Sequence, residues 1–357
     1  MKIKFIFAVP IISILLYLII ASSSCHNENP VSPSGNFTVD TVDFFKWKID
    51  SFSYSIQGFI PFDTNDIYII FSQLPYLVHY DGLQYRNIDL RDPYFRPISL
   101  KAKDKNTIYI GGLFFANGNN HAVLKILKSN NIETYIAPDD STIAFGHIII
   151  NEGNSLWIST MNEIFYKFES DNFTRFNLEK KMHRLKFYKN NDDIVYIYCQ
   201  NNQNVNPNEP LKYYIKKIVN DTIINISEEI LETNFIKYVD WNYLCLNNDF
   251  IMSSLHSFFW FKNEKWAEIY HSSSLEFNSL IGGFSMNNLI ATQYDNGISQ
   301  FYNGLIYTNN QVFVERNLTF ASSETPLCII PLNENIIYIS TESVFTSRLL
   351  RGIRKNY

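Results

Sequence analysis

One pattern returns seven times along the chain and limits its fold more than any other feature. It consists of an Asn or Asp, one variable residue, an apolar residue and an aromatic or aliphatic pair, often closing on small residues. The copies are Asn65-Asp66-Ile67-Tyr68-Ile69, Asn106-Thr107-Ile108-Tyr109-Ile110-Gly111-Gly112, Asn154-Ser155-Leu156-Trp157-Ile158-Ser159-Thr160 and Asp193-Ile194-Val195-Tyr196-Ile197. They continue with Asn248-Asp249-Phe250-Ile251-Met252-Ser253-Ser254, Asn287-Asn288-Leu289-Ile290-Ala291-Thr292 and Asn335-Ile336-Ile337-Tyr338-Ile339-Ser340-Thr341. From Asn65 to Asn335 is 270 residues over six intervals, a mean of 45. Blades of four strands repeat at about 40–50 residues.

The neighbours of each copy repeat too. An apolar run such as Gly146 to Ile150 or Tyr243 to Leu246 precedes it, separated by Asn, Asp or Gly. Those residues tolerate the left-handed conformations of tight hairpins, so the order reads strand, turn, strand. An alternating segment follows (Ile164 to Phe168), then a polar turn (Glu169 to Asn172) and a last strand (Phe173 to Phe176). The same order is expected in Phe258 to Phe261, Lys262 to Lys265 and Trp266 to Tyr270. It is expected again in Gly297 to Tyr302, a turn at Asn303-Gly304, and Leu305 to Tyr307. Aromatics make up 16% of the 357 residues, which suits strands. No 3.6-residue periodicity marks a helix after residue 25.

These observations predict an all-β, seven-bladed β-propeller of four-stranded antiparallel blades. The small residues that end several copies are expected to crowd a central channel. After the last copy only Ser343 to Leu350 is left to pair with it, so the last blade lacks one strand. Asp43 to Ile49 is expected to supply that strand and close the ring, leaving short protected edges.

The block Asn154 to Phe176 resembles a two-component-regulator propeller repeat, of the form N-x-L-W-I-G-T followed by a G-L-Y-R-Y-like strand. Here Ser159 stands for the usual Gly and Glu163-Ile164 for Gly-Leu. The resemblance covers about 23 residues and fades in the other copies, so it implies a fold and little about function. A sensor role would follow from it alone, and it is disfavoured because no kinase or DNA-binding segment follows Tyr357.

The N-terminus reads as an address. Lys2 and Lys4 precede an apolar run from Phe5 to Ala21, then Ser22-Ser23-Ser24-Cys25. This is the charge, apolar run and small-residue order of an export signal. The run is short of the about 20 residues that span a bilayer. The residues before Cys25 resemble a bacterial lipobox, with Ser22 where Leu is usual. That resemblance implies a lipoprotein signal peptide at 1–24, lipid on Cys25 and a membrane anchor in the cell envelope, on the periplasmic or outer-membrane surface side. The polar stretch His26 to Gly35, rich in Pro and Ser, cannot bury apolar surface and extends a flexible tether over 25–41. The propeller domain is placed at 42–357.

Chemistry is harder to find. Net charge is −5 with no basic run, so no nucleic-acid footprint is visible. Cys199, Cys245 and Cys328 sit in apolar runs and read as buried free thiols. Of the seven histidines (His26, His79, His121, His147, His183, His256, His271) none has zinc-protease spacing, although His147 and His256 could approach in space. Gly283-Phe284-Ser285-Met286 lacks the second Gly of a nucleophile elbow. Gly111-Gly112 and Gly282-Gly283 read as strand ends or bulges. Asp63-Thr64-Asn65-Asp66 and Asp139-Asp140 lack a calcium loop and read as turns. Phe258 to Phe261 with Trp266 reads as one hairpin packed between blades. The Asn-x-Ser/Thr triplets at Asn36, Asn172, Asn225 and Asn317 carry no weight beside a bacterial lipobox.

No catalytic residue, metal site or cofactor is expected. Phe114 to His121 and Asn201 to Pro210, polar insertions in two longer repeats, are the best pointers to a binding face. The expected function is a non-enzymatic binding or scaffolding module for a protein or glycan; the alternative is a propeller enzyme acting on polysaccharide.

Overall fold

The computed structural model describes residues 41–355 apart from 117–118, 130, 139–143, 152–154, 161–163, 179–181, 190–194, 202–211, 231–242, 247–248, 254–256, 263–264, 273–276, 286–287, 294–300, 309–310, 322–323 and 344–345. The export signal, Cys25 and most of the tether therefore lie outside the described residues, as do Asn154, Asp193, Asn248 and Asn287 of the repeat.

The described strands form seven sheets. After β1 (Thr41–Val42) and β2 (Phe45–Phe52), the first sheet is β3 (Ile56–Asp63), β4 (Asp66–Phe71), β5 (Tyr76–Tyr80) and β6 (Tyr85–Asp89). The second is β7 (Phe95–Asp104), β8 (Thr107–Ala116), β9 (Asn119–Lys128) and β10 (Asn131–Ile136). The third is β11 (Phe145–Ile150), β12 (Leu156–Thr160), β13 (Ile164–Glu169) and β14 (Asn172–Asn177). The fourth is β15 (Met182–Lys189), β16 (Val195–Asn201), β17 (Lys212–Val219) and β18 (Thr222–Ile230). The fifth is β19 (Tyr243–Leu246), β20 (Asp249–Ser253), β21 (Ser257–Lys262) and β22 (Lys265–His271). The sixth is β23 (Phe277–Ser285), β24 (Asn288–Gln293), β25 (Phe301–Thr308) and β26 (Gln311–Ala321). The seventh is β27 (Thr325–Asn333), β28 (Ile336–Glu342) and β29 (Ser347–Arg354).

Every repeat copy forms the second strand of its sheet, and the strands within each sheet pair antiparallel in chain order. Burial explains the composition of the copies. All five residues of β12 are buried, whereas β6, β10 and β14, fourth in their sheets, have no buried residue. A strand buried on both faces reads as a continuous apolar run. Leu156 and Ile158 pack against Tyr109, Leu124 and Ile126 of the second sheet, while Trp157 packs against Val195, Ile197 and Ile218 of the fourth. One strand thus fills two inter-sheet cores.

The leading Asn has a conformational reason. The backbone N–H of Asn65 donates to Asp63 Oδ1 at 2.7 Å, that of Asn106 to Asp104 Oδ1 at 2.8 Å, and that of Asn335 to Asn333 Oδ1 at 2.9 Å. Each is a turn closed by an Asp or Asn side chain two residues earlier.

The seventh sheet is completed from the other end of the chain. β2 pairs antiparallel with β29 from Phe45 opposite Arg354 to Phe52 opposite Ser347. Trp47 lies against Gly352, where an added Cβ would meet the indole at 2.8 Å. β1 pairs in parallel with β26 and gives the sixth sheet a fifth strand. Between the two, Glu315 is 1% exposed and accepts from the backbone N–H groups of Phe44 and Phe45, each at 3.0 Å. Its carboxyl is pushed up from the ordinary range by burial, against those donors. Tyr338 and Leu349 of the seventh sheet share a core with Phe59, Ile67 and Ile69 of the first.

Two expectations need correction. Asn303-Gly304 is no turn: β25 runs through it, with a bulge between Asn303 and Leu305. An added Cβ at Gly304 would lie 2.1 Å from Leu318 Cδ2, so the glycine makes room for a neighbouring side chain. Phe114 to His121 is no loop insertion either. β8 and β9 stay paired to Ala116 opposite Asn119, making a long hairpin.

Candidate functional site

The small residues that close the repeat copies lie opposite a recurrent irregularity. In six of the seven sheets the first strand carries extra residues near its start, among the described residues. Gln57 is the extra residue in β3, Ile98 in β7 and Leu327 in β27; equivalent shifts fall at Gly146-His147, Arg184-Leu185 and Ser279-Leu280. Four of these bulges face small pairs on the second strand: Gly111-Gly112, Ser159-Thr160, Ala291-Thr292 and Ser340-Thr341. A Cβ on Gly112 would stand 2.3 Å from the Arg96 carbonyl oxygen, and one on Gly111 2.5 Å from Ser99 Oγ. At Gly111 and Gly112 small size is therefore demanded by the bulged neighbour. Bulges re-aim side chains and gather beside functional sites. Gln57, His147 and Leu327 are exposed and Ile98 is half-buried.

Antiparallel order puts the start of each first strand, the end of the second and the start of the third at one end of a sheet. In the seventh, first and second sheets that end exposes large apolar side chains: Leu327 at 39%, Tyr54 at 43%, Tyr94 at 64% and Phe115 at 39%. The Arg96 guanidinium stands 5.2 Å from the Phe115 ring centroid, within cation–π range. Phe115 N–H donates to the Tyr94 carbonyl at 3.3 Å, tying the hairpin to the loop before β7.

A polar network fixes Tyr54 in place. Ser347 Oγ donates to the Tyr54 carbonyl, and Ser55 Oγ donates to Glu342. Buried Glu324 accepts from both Thr341 Oγ1 and the Arg348 guanidinium. A charge as buried as Glu324 is tolerated where its lone pairs are met.

The opposite end holds inter-sheet ion pairs. Lys105 of the second sheet reaches Asp63 at 3.1 Å and Asp66 at 2.6 Å in the first. Lys167 of the third sheet reaches Asp221 of the fourth at 3.1 Å. The hydrogen bond from Asn65 and the Lys105 charge hold the Asp63 carboxyl below its ordinary range. Asp63 to Asp66 is thus a staple and a turn; Asp139-Asp140 lies outside the described residues.

The histidines whose side chains are described do not converge. His79 Nε2 lies 2.8 Å from Asp66 Oδ1 and its ring stacks on Tyr68. His121 stands opposite Phe114 in the hairpin, and His147 sits in the β11 bulge. His26 and His256 lie outside the described residues, so the pairing of His147 with His256 does too. Ser257 Oγ lies 2.9 Å from His271 Nδ1 and also bonds Glu268. Glu268 meets that same Nδ1 at 3.3 Å, whereas a proton relay needs the acid and the nucleophile on different ring nitrogens. Among the described residues no three metal-binding side chains gather. Cys328 is a free thiol, pushed up to about 11 by burial. Cys199 and Cys245 lie on β16 and β19, with their side chains outside the described residues. Gly283-Phe284-Ser285 runs within β23 and contains a bulge. In the aromatic hairpin Phe258 is buried beside Tyr270, with ring centroids at 5.7 Å, and Phe259, Trp260 and Phe261 are half-buried; Trp266 lies outside the described side chains. Of Asn201 to Pro210 only Asn201, at the end of β16, is described.

Sequence reasoning reached Phe115 through its hairpin and missed Tyr54, Tyr94, Arg96 and Leu327. Their signal was position: each lies in or just before a first strand, outside the conspicuous second-strand copy.

No family model and no curated protein matches the chain. Solved structures match in fold. A structure of YCF48 bound to D1 peptide superposes with a TM-score of 0.60 at 12% identity, covering 89% of this chain and 100% of that one. The WD40 β-propeller domain of Doa1 gives 0.52 at 9%, covering 86% and 97%. A GH74 xyloglucanase from Xanthomonas campestris gives 0.52 at 9%, covering 83% of this chain and 53% of that one. The chain has a β-propeller fold, and likeness at these identities speaks for fold alone.

Proposed function

We propose that the chain is a non-enzymatic binding module: a seven-bladed propeller, closed by β2, that captures a protein segment at the end bearing Tyr54, Tyr94, Arg96, Phe115 and Leu327. The observation that carries the reading is the exposed aromatic group with its stacked arginine, set on strands whose bulges recur at the same place. Aromatics and Arg dominate the energetics of protein recognition. The similar structure with a bound peptide supports the same use of the fold. Seven sheets, the β2–β29 pairing and the core shared by the seventh and first sheets support closure.

In this reading residues 1–24 are a cleaved signal, Cys25 carries lipid, 25–41 is the tether and 42–357 the domain, held at the cell envelope. The order of Lys2, Lys4, the apolar run and Ser22 to Cys25 supports it. Labelling with a palmitate analogue should mark the wild-type chain and leave Cys25→Ser unmarked. Equal labelling of both would remove the anchor from the account.

The binding role is tested by panning a random peptide display library, beside a glycan array, on the full chain in detergent. Peptides should enrich and lose binding to a Tyr94→Ala/Phe115→Ala variant that melts normally. Turnover of a polysaccharide, abolished by one carboxylate change, would overturn the reading in favour of an enzyme.

A further inference from the structure

We infer that the captured segment is acidic, its carboxylates received by a basic stripe along the first strand of the second sheet, continued by His147 on that of the third; this rests on the peptide-binding reading above. The chain as a whole is acidic, with 30 Lys and Arg against 35 Asp and Glu. Its first strands are the reverse. β7 carries Arg96, Lys101 and Lys103, and β11 carries His147. The acidic residues of the first strands are Asp63 and Asp104, each the last of its strand and each closing a turn. β11 lies beside β7, so the two strands are neighbours.

The bulges arrange this charge. Arg96, Ser99 and Lys101 stand opposite Leu113, Gly111 and Tyr109, alternate residues of β8 that share one face. Were Ile98 paired in regular alternation rather than bulged out, Arg96 would fall on the face of Leu100 and Ala102, which pack into the core shared with the first sheet. Lys103 is the extra residue of a second bulge, between Ala102 and Asp104. Arg96, Lys101, Lys103 and His147 are all exposed. Like charges gathered between low-dielectric walls focus field and draw an oppositely charged partner. Arg96 joins the stripe to the aromatic group through Phe115. A segment mixing carboxylates with apolar side chains fits both.

The test sequences the peptides that the panning enriches and measures their binding by fluorescence anisotropy to the full chain in detergent. Asp and Glu should be over-represented. The Arg96→Gln/Lys101→Gln/Lys103→Gln variant, checked by thermal melting, should bind them at least about tenfold more weakly, and salt should weaken wild-type binding. Neutral or basic peptides, unaffected by that variant yet lost with Tyr94→Ala/Phe115→Ala, would overturn the acidic partner and leave the peptide surface standing. Absence of any enriched peptide would overturn both. So would a polyuronate that binds through these lysines where no peptide does.

Discussion

The backbone N–H of His147 donates to Ser159 Oγ across 2.9 Å, so the β11 bulge is satisfied by a side chain of the strand it faces. A bulge frees an amide from the ladder, and a buried amide without a partner is costly. At the position where the two-component-regulator repeat usually has Gly, this chain has a residue that answers the bulge. Replacing Ser159 with Ala should lower unfolding stability by about 1–2 kcal/mol, read as a lower urea midpoint at unchanged slope. A midpoint equal to wild type would show that the hydroxyl contributes nothing to the bulge.

Glycines near the bulges should differ sharply in tolerance. At Gly112 a methyl would strike the Arg96 carbonyl at 2.3 Å and the Phe95 ring at 2.7 Å, whereas at Gly146 its nearest neighbour is Ser159 Oγ at 3.4 Å. Gly112→Ala should cost about 1–3 kcal/mol as overpacking, and Gly146→Ala less than about 1. Chemical denaturation of both variants measures the contrast. Equal costs would contradict the placement of β7 against β8.

The Glu315 clasp predicts a pH dependence. Folding raises the affinity of this carboxyl for its proton, chiefly through burial. The folded chain then holds the proton more tightly than the unfolded one, so the contribution is fully present below the ordinary value of 4.5 and is lost as pH rises through the raised one. Glu315→Gln should remove that decline from a plot of unfolding midpoint against pH. An unchanged plot would place the titration elsewhere.

The sequence revealed the second strands best because they carry the strongest constraint. Buried on both faces between two sheets, Leu156, Trp157 and Ile158 of β12 had to be apolar, and turn chemistry fixed an Asn or Asp ahead of its counterparts. The outer strand Asp43 to Ile49 was also legible, since the last repeat lacked a partner, and β2 pairs with β29. First-strand bulges were not legible: Ile98 and Leu327 are ordinary strand residues by type, and only a register shows that each is extra. Gly304 misled for the same reason, because a glycine that admits Leu318 and a glycine in a turn look alike in sequence. The exposed face was hidden too, as Tyr54, Tyr94 and Phe115 come from three separate segments that only the packing of neighbouring sheets brings to one end.

Closure of the ring by the N-terminal strand is the claim on which the face depends, and a cross-link tests it most directly. Lys46 and Ile353 stand opposite each other in the β2–β29 register, and both are exposed. The pair Lys46→Cys/Ile353→Cys, in a chain whose Cys199, Cys245 and Cys328 are replaced by Ala, should be close enough for a disulfide under mild oxidation. The account predicts near-complete cross-linking, seen as a reducible shift to faster migration on a denaturing gel. No cross-link there, or preferential bonding in the alternative pair Lys46→Cys/Arg351→Cys, would contradict it.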